Sequence, residues 1–106
     1  MDKLLLNLQQ LDSNDLDFIL DQRDEDQFDK AWCSLNELVT ETSCPLDLKE
    51  IFVKLSGVTN NHEVCSYIVD DFELINKAKE LGINSKFLKY LEQSYEQGRV
   101  PCVWNS

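Results

Sequence analysis

The sequence predicts an all-α protein, a compact single-domain bundle of five to seven short helices over residues 1–106. Three observations carry that expectation. Apolar residues recur at three- and four-residue spacing almost throughout, no run sustains period-two alternation, and only two prolines and three glycines interrupt the chain. With 106 residues, 42% of them hydrophobic, the chain can bury about two-thirds of its unfolded surface without disulfide or metal staples.

Leu4, Leu5, Leu8 and Leu11 mark a first helix, and Leu16, Ile19 and Leu20 a short second one. The clearest stripe is Phe28, Ala31, Trp32, Leu35, Leu38 and Val39, with Asp24 as its N-cap and Gln27 three positions on in capping-box register. Leu48, Ile51, Phe52 and Leu55 form a shorter helix entered through Pro45 near its first turn. Val64, Cys65 and Ile68 follow, opened by Asn60 with Glu63 three later. Asp70 with Glu73 resembles another start signal. Residues 61–81 therefore read as one long helix or as two joined near Val69, with Phe72, Ile75, Ala78 and Leu81 lining the second part. Phe87, Leu88, Leu91 and Tyr95 make the last helix after a cap at Asn84 or Ser85. Gly57, Gly82 and Gly98 each follow a stripe and are expected at C′ positions, in left-handed backbone. After Gly98, the run VPCVW at 100–104 leaves room for a small strand.

Charge is distributed unevenly. Twenty acids face ten bases, for a net charge of −10, and residues 1–47 hold twelve of the acids but three of the bases. That half repels nucleic acid and anionic membranes, and its natural complement is a basic protein. The opening MDKLLLNLQQ has neither the pattern of a secretion signal nor that of a membrane span, so a cytoplasmic protein is expected. Cys33, Cys44, Cys65 and Cys102 lack the close pairing of a zinc or redox motif and are expected as small buried hydrophobes with reduced thiols.

The excess acid concentrates in residues 12–29, where Asp12, Asp15, Asp17, Asp21, Asp24, Glu25, Asp26 and Asp29 accompany a single base, Arg23. A calcium loop needs alternating ligands, a glycine at the turn and a distal glutamate, none of which DEDQFDKAW supplies. Nothing in the pattern marks one carboxylate as desolvated, which a catalytic acid requires. A helix start accounts for two or three of the carboxylates through the backbone dipole. Beyond that, neighbouring like charges about 6 Å apart cost about 0.7 kcal/mol per pair in water. The remainder is either a solubilising face or a surface for a basic partner, and both readings stay open on charge alone.

Other features read as structural. His62 and Ser66 lie four apart, one helical turn, but no orienting group or oxyanion loop accompanies them. Trp32 falls at core spacing, and Trp104 either tucks over the core or faces a partner. The lysines of the C-terminal helices alternate with glutamates, as on a solvated face. The sequence nominates no catalytic, cofactor-binding or metal-binding residue, and no enzyme is expected.

Small size, helical pattern, strong acidity and absent catalytic apparatus together resemble the immunity proteins of bacterial toxin systems, of the contact-dependent-inhibition and colicin-type families. The resemblance implies an inhibitor that binds a cognate cationic toxin domain, often a nuclease, and covers its active site. DLDFILDQRDEDQFD, residues 15–29, looks most like such an interface, with carboxylates standing in for substrate phosphates. On this reading the eight acids of residues 12–29 bind the partner, with Phe18, Trp104 or Tyr90 as apolar anchors. A DNA mimic acting on a DNA-binding enzyme, and a small carboxylate-dependent hydrolase, are the alternatives.

Overall fold

The computed structural model describes residues 2–39 and 47–104, which hold six helices. They are α1 (Asp2–Gln9), α2 (Ser13–Arg23), α3 (Asp26–Leu38), α4 (Leu48–Thr59), α5 (His62–Glu80) and α6 (Lys86–Glu96). The all-α expectation holds, and no strand occurs among the described residues: residues 100–104 are irregular. Pro45 and Cys44 lie outside the described residues. The Cα radius of gyration is 13.3 Å, matching the roughly 13 Å of a folded chain this long.

Local signals place most helix ends, with informative shifts. Residues 62–80 form one helix, and Asp70 and Glu73 lie inside it rather than starting another. Its N-cap is Asn61, whose side chain accepts from the Val64 N–H at 3.1 Å. Asn60, expected in that role, instead ends α4 in left-handed backbone at φ 52°. Gly57 therefore falls within α4 and is no C′ residue, because the polar Asn60 also tolerates the left-handed turn. Likewise Asp24 closes α2, and Glu25 takes the N-cap position of α3 without a side-chain cap bond. Ser85 caps α6 as expected, accepting from Leu88 N–H at 3.1 Å.

Gly82 and Gly98 do adopt positive φ, 71° and 77°. Each closes a Schellman motif: Ile83 N–H reaches Ala78 carbonyl at 3.0 Å, and Arg99 N–H reaches Ser94 carbonyl at 2.8 Å. At Gly98 the turn also lies against α1, whose Asn7 Nδ2 donates to the Gly98 carbonyl at 2.9 Å.

Apolar burial divides into two lobes. The first gathers Leu4 and Leu8 of α1, Leu16 and Ile19 of α2, Leu55 of α4, and Val64, Cys65 and Ile68 from the first half of α5. The second gathers Phe28 and Leu35 of α3, Leu74 and Ala78 from the second half of α5, and Phe87, Leu88 and Leu91 of α6. Helix α5, at 19 residues, runs through both. Three stripe or core expectations fail: Leu38 and Leu81 are exposed, and Cys33 sits on the solvent side of α3 rather than in the core.

Gly57→Ala should raise stability by about 0.5–1 kcal/mol, since it removes a flexible residue from a helix where a Cβ meets nothing within 4 Å. Gly98→Ala should lower it by at least about 1 kcal/mol, because φ is positive and a Cβ would fall 3.0 Å from the Lys3 carbonyl. Urea unfolding midpoints moving in opposite directions check both.

Candidate functional site

Helix α2 turns Leu16, Ile19, Leu20 and Arg23 inward. Its 3.6-residue period then sets Asp17, Phe18 and Asp21 on the opposite, solvent-facing side. Phe18 is 56% exposed, a large apolar surface between carboxylates. Asp12 and Asp15 are also exposed but have a local task. Asp12 accepts the Asp15 N–H at 2.9 Å and Asp15 accepts the Asp12 N–H at 3.1 Å, a reciprocal capping box. Asp24 and Glu25 occupy the two-residue turn into α3, and Asp26 and Asp29 its first turn, where the helix dipole favours them.

Trp104 joins this region from the C-terminal segment. Its ring lies 5.3 Å, centroid to centroid, from both Phe87 and Tyr90, so it tucks against the second lobe while staying half-buried. Tyr90 secures the segment: its hydroxyl accepts the N–H groups of Cys102 at 3.2 Å and Val103 at 3.1 Å. Tyr90 is half-buried, as Trp104 is, with its hydroxyl occupied within the molecule. Val103 and Trp104 line a shallow groove with Gln22, Glu25, Asp26 and Gln27. The structure thus brings Trp104 beside two of the nominated acids, while Asp12 and Asp15 stand apart at the far end of α2.

Arg23 is absent from this surface. It is 5% exposed and forms a bidentate pair with Asp71, itself 0% exposed, through Nη1 and Nη2 at 2.8 Å each. Arg23 Nη1 also donates to the Pro101 carbonyl at 2.9 Å. Asp71 accepts further bonds from Trp32 Nε1 at 2.8 Å and from the Tyr95 hydroxyl at 2.5 Å. The Arg23 guanidinium also lies over two aromatic rings, its Cζ 4.7 Å from the centroid of Phe28 and 4.8 Å from that of Tyr67. Burial opposes the Arg23 charge, but the Asp71 bonds and charge outweigh it, and its pKa is raised. Burial, reinforced by Asp71, pushes the Tyr95 hydroxyl well above the ordinary tyrosine range.

This centre was hidden in the sequence, although a signal was present. Arg23 stands seven residues after Leu16, and Asp71 seven after Val64 and three before Leu74, so both are charges at core-stripe positions. Two such positions of opposite sign in one chain point to each other. With Arg23 withdrawn, the acidic run lacks its only base. The other ion pairs among the described residues, Glu50–Lys54, Glu73–Lys77 and Glu92–Lys79, all lie outside residues 12–29. His62 and Ser66 are both exposed at the start of α5, with the imidazole 5.7 Å from the Phe52 ring. Among the described residues no group of three His, Cys, Asp or Glu side chains is placed to hold a metal ion, and no helix is long and apolar enough to cross a membrane.

Fold and surface together define a small helical protein whose exposed acidic residues lie on α2, the α2–α3 turn and the start of α3, with Phe18 exposed among them. The family model described as Immunity protein PIM1 matches residues 1–102, and the chain belongs to that family. Immunity proteins bind and neutralise a cognate toxin, and that role extends to this chain. No curated protein and no solved structure matches it.

Removing either member of the buried pair, by Arg23→Ala or Asp71→Ala, should cost about 3–5 kcal/mol in chemical denaturation, because a charge is left buried without its partner. The double substitution Arg23→Met with Asp71→Leu should cost less than the sum of the two single losses. Alkali gives a second check. Tyr95, Cys65 and Cys102 all have raised folded-state pKa values through burial, so their contributions are complete below the unfolded pKa values and are lost as pH rises beyond them. Stability measured against pH should decline from about pH 8.5–9 through the thiols and more steeply above about pH 10. Tyr95→Phe should remove the steeper part.

Proposed function

We propose that the solvent face of α2 together with the start of α3 is the toxin-binding surface, and that the toxin domain it meets is basic, a nuclease whose active site or substrate groove it covers. Asp17, Asp21, Asp24, Glu25, Asp26 and Asp29 supply the charge, and Phe18 and the exposed edge of Trp104 the apolar contact. Asp12 and Asp15 contribute charge at the margin while holding the α2 N-terminus. Inhibition is stoichiometric and takes place in the cytoplasm, without catalysis or cofactor.

The observation that carries this reading is the withdrawal of Arg23. A solubilising surface gains from interspersed charges of both signs. Here the one base of the run is neutralised internally, Phe18 is exposed between Asp17 and Asp21, and none of the acids of residues 12–29 enters an ion pair among the described residues. Clustered negative charge steers encounter with a cationic partner, and a desolvated aromatic anchor then slows dissociation.

Stopped-flow mixing with the cognate toxin, the product of the adjacent gene, tests it. The association rate should fall about tenfold or more between low and high salt. The triple reversal Asp17→Lys, Asp21→Lys and Asp26→Lys should lower association by about tenfold or more while changing dissociation less. Phe18→Ala should act mainly on dissociation. Reversal of the remote Glu63 and Glu96 serves as control. Association independent of salt, or equal loss in the control, would rule the surface out.

A further inference from the structure

Three hydrogen bonds fasten the backbone of the C-terminal segment to the helices. The Pro101 carbonyl accepts from Arg23 Nη1 at 2.9 Å, and the N–H groups of Cys102 and Val103 both donate to the Tyr90 hydroxyl, at 3.2 and 3.1 Å. Val100 and Pro101 are buried. A segment that only closed the second lobe would bury its remaining apolar side chains as well. Instead, Val103 is 46% exposed, and Trp104, 5.3 Å from the Phe87 and Tyr90 rings, stays half-buried.

These two side chains line the groove they share with Gln22, Glu25, Asp26 and Gln27. Gln22 stands one turn after the exposed Phe18 on α2, so the groove continues toward that residue. An apolar contact near a chain end ordinarily loses affinity to the ordering of its own backbone on binding. Here the two amides immediately before Trp104 are already set by one tyrosine hydroxyl, which accepts with both lone pairs.

Resting on the toxin-binding reading, we propose that Tyr90 is a positioning residue for the toxin complex: its hydroxyl latches Val103 and Trp104 in the orientation that receives the toxin, and so sets how long the complex lasts. The occupant of the groove is the basic toxin domain, with an apolar side chain against Trp104. Its neighbouring base faces Glu25 and Asp26, which enter no ion pair among the described residues. Charge governs the approach of the two proteins, whereas the latch acts after they have met.

The test is the dissociation rate of the complex with the cognate toxin, the product of the adjacent gene, for the full chain and its variants. Tyr90→Phe keeps the ring beside Phe87 and Trp104 but removes the acceptor. It should speed dissociation about fivefold, the scale of one net hydrogen bond, and leave association unchanged. Trp104→Ala should speed dissociation by about tenfold or more, and adding Tyr90→Phe to it should change the rate by less than about twofold. Amide hydrogen exchange, followed by NMR on the free chain, reports the latch itself. Tyr90→Phe should expose the amides of Cys102 and Val103 and leave that of Ile68, in the core, protected. Dissociation unaltered by Tyr90→Phe, or an equal acceleration in the Trp104→Ala background, would overturn the proposal. So would unchanged exchange at Cys102 and Val103, or protection lost at Ile68 as well. Such a result with toxin association still salt-dependent removes the latch alone. Salt-independent association removes the acidic-face reading on which the latch rests.

Discussion

The Arg23–Asp71 pair is the constraint on which the rest of the molecule depends. It lies at the seam between the two apolar lobes, with Ile68 of the first on one side of Asp71 and Leu74 of the second on the other. Taking two charges out of water carries a penalty of several kcal/mol per ion, which only a fully bonded geometry offsets. Asp71 reaches that geometry by accepting from Arg23, Trp32 and Tyr95, while Arg23 also ties down the Pro101 carbonyl. Helices α2, α3, α5 and α6 and the C-terminal segment thereby meet at one carboxylate.

That centre also sets the surface. With Arg23 pointing inward, α2 has a single roll that buries Leu16 and Ile19, and Asp17, Phe18 and Asp21 must then face out. The Pro101 bond and the Tyr90 hydroxyl hold the C-terminal segment so that Trp104 borders the same region. Under the toxin-binding proposal, a surface ordered before the toxin arrives keeps more of its affinity, because ordering on binding subtracts from it. The buried pair ties α2 to α5 and turns inward the one base that would have diluted the negative charge of residues 12–29.

The residues most easily read from the sequence are those whose role is periodic. The α3 and α6 stripes and the Gly82 and Gly98 turns follow from spacing and backbone sterics, which act over a few neighbouring residues. Caps are legible to within a residue: Asn60 and Asn61 offer the same chemistry, and only packing of α4 against α5 decides which one turns left-handed and which one caps. Likewise Asp24, Glu25 and Asp26 are interchangeable as local start signals, and the short α2–α3 turn chooses among them.

The sequence by itself determined the helical class, the approximate helix spans, the acidic run and the identity of most core residues, because these depend on spacing within one or two turns. Tertiary structure alone decided that Arg23 belongs to the interior and not to the charge cluster. Its partner Asp71 is 48 positions away, and a contact of that separation leaves only a charge in each of two apolar stripes as its trace. The same holds for Trp104 beside Glu25 and Asp26, and for Asp70 beside Asp24 and Asp29. Electrostatics depends on distance in space, and the folding of α2 onto α5 sets that distance.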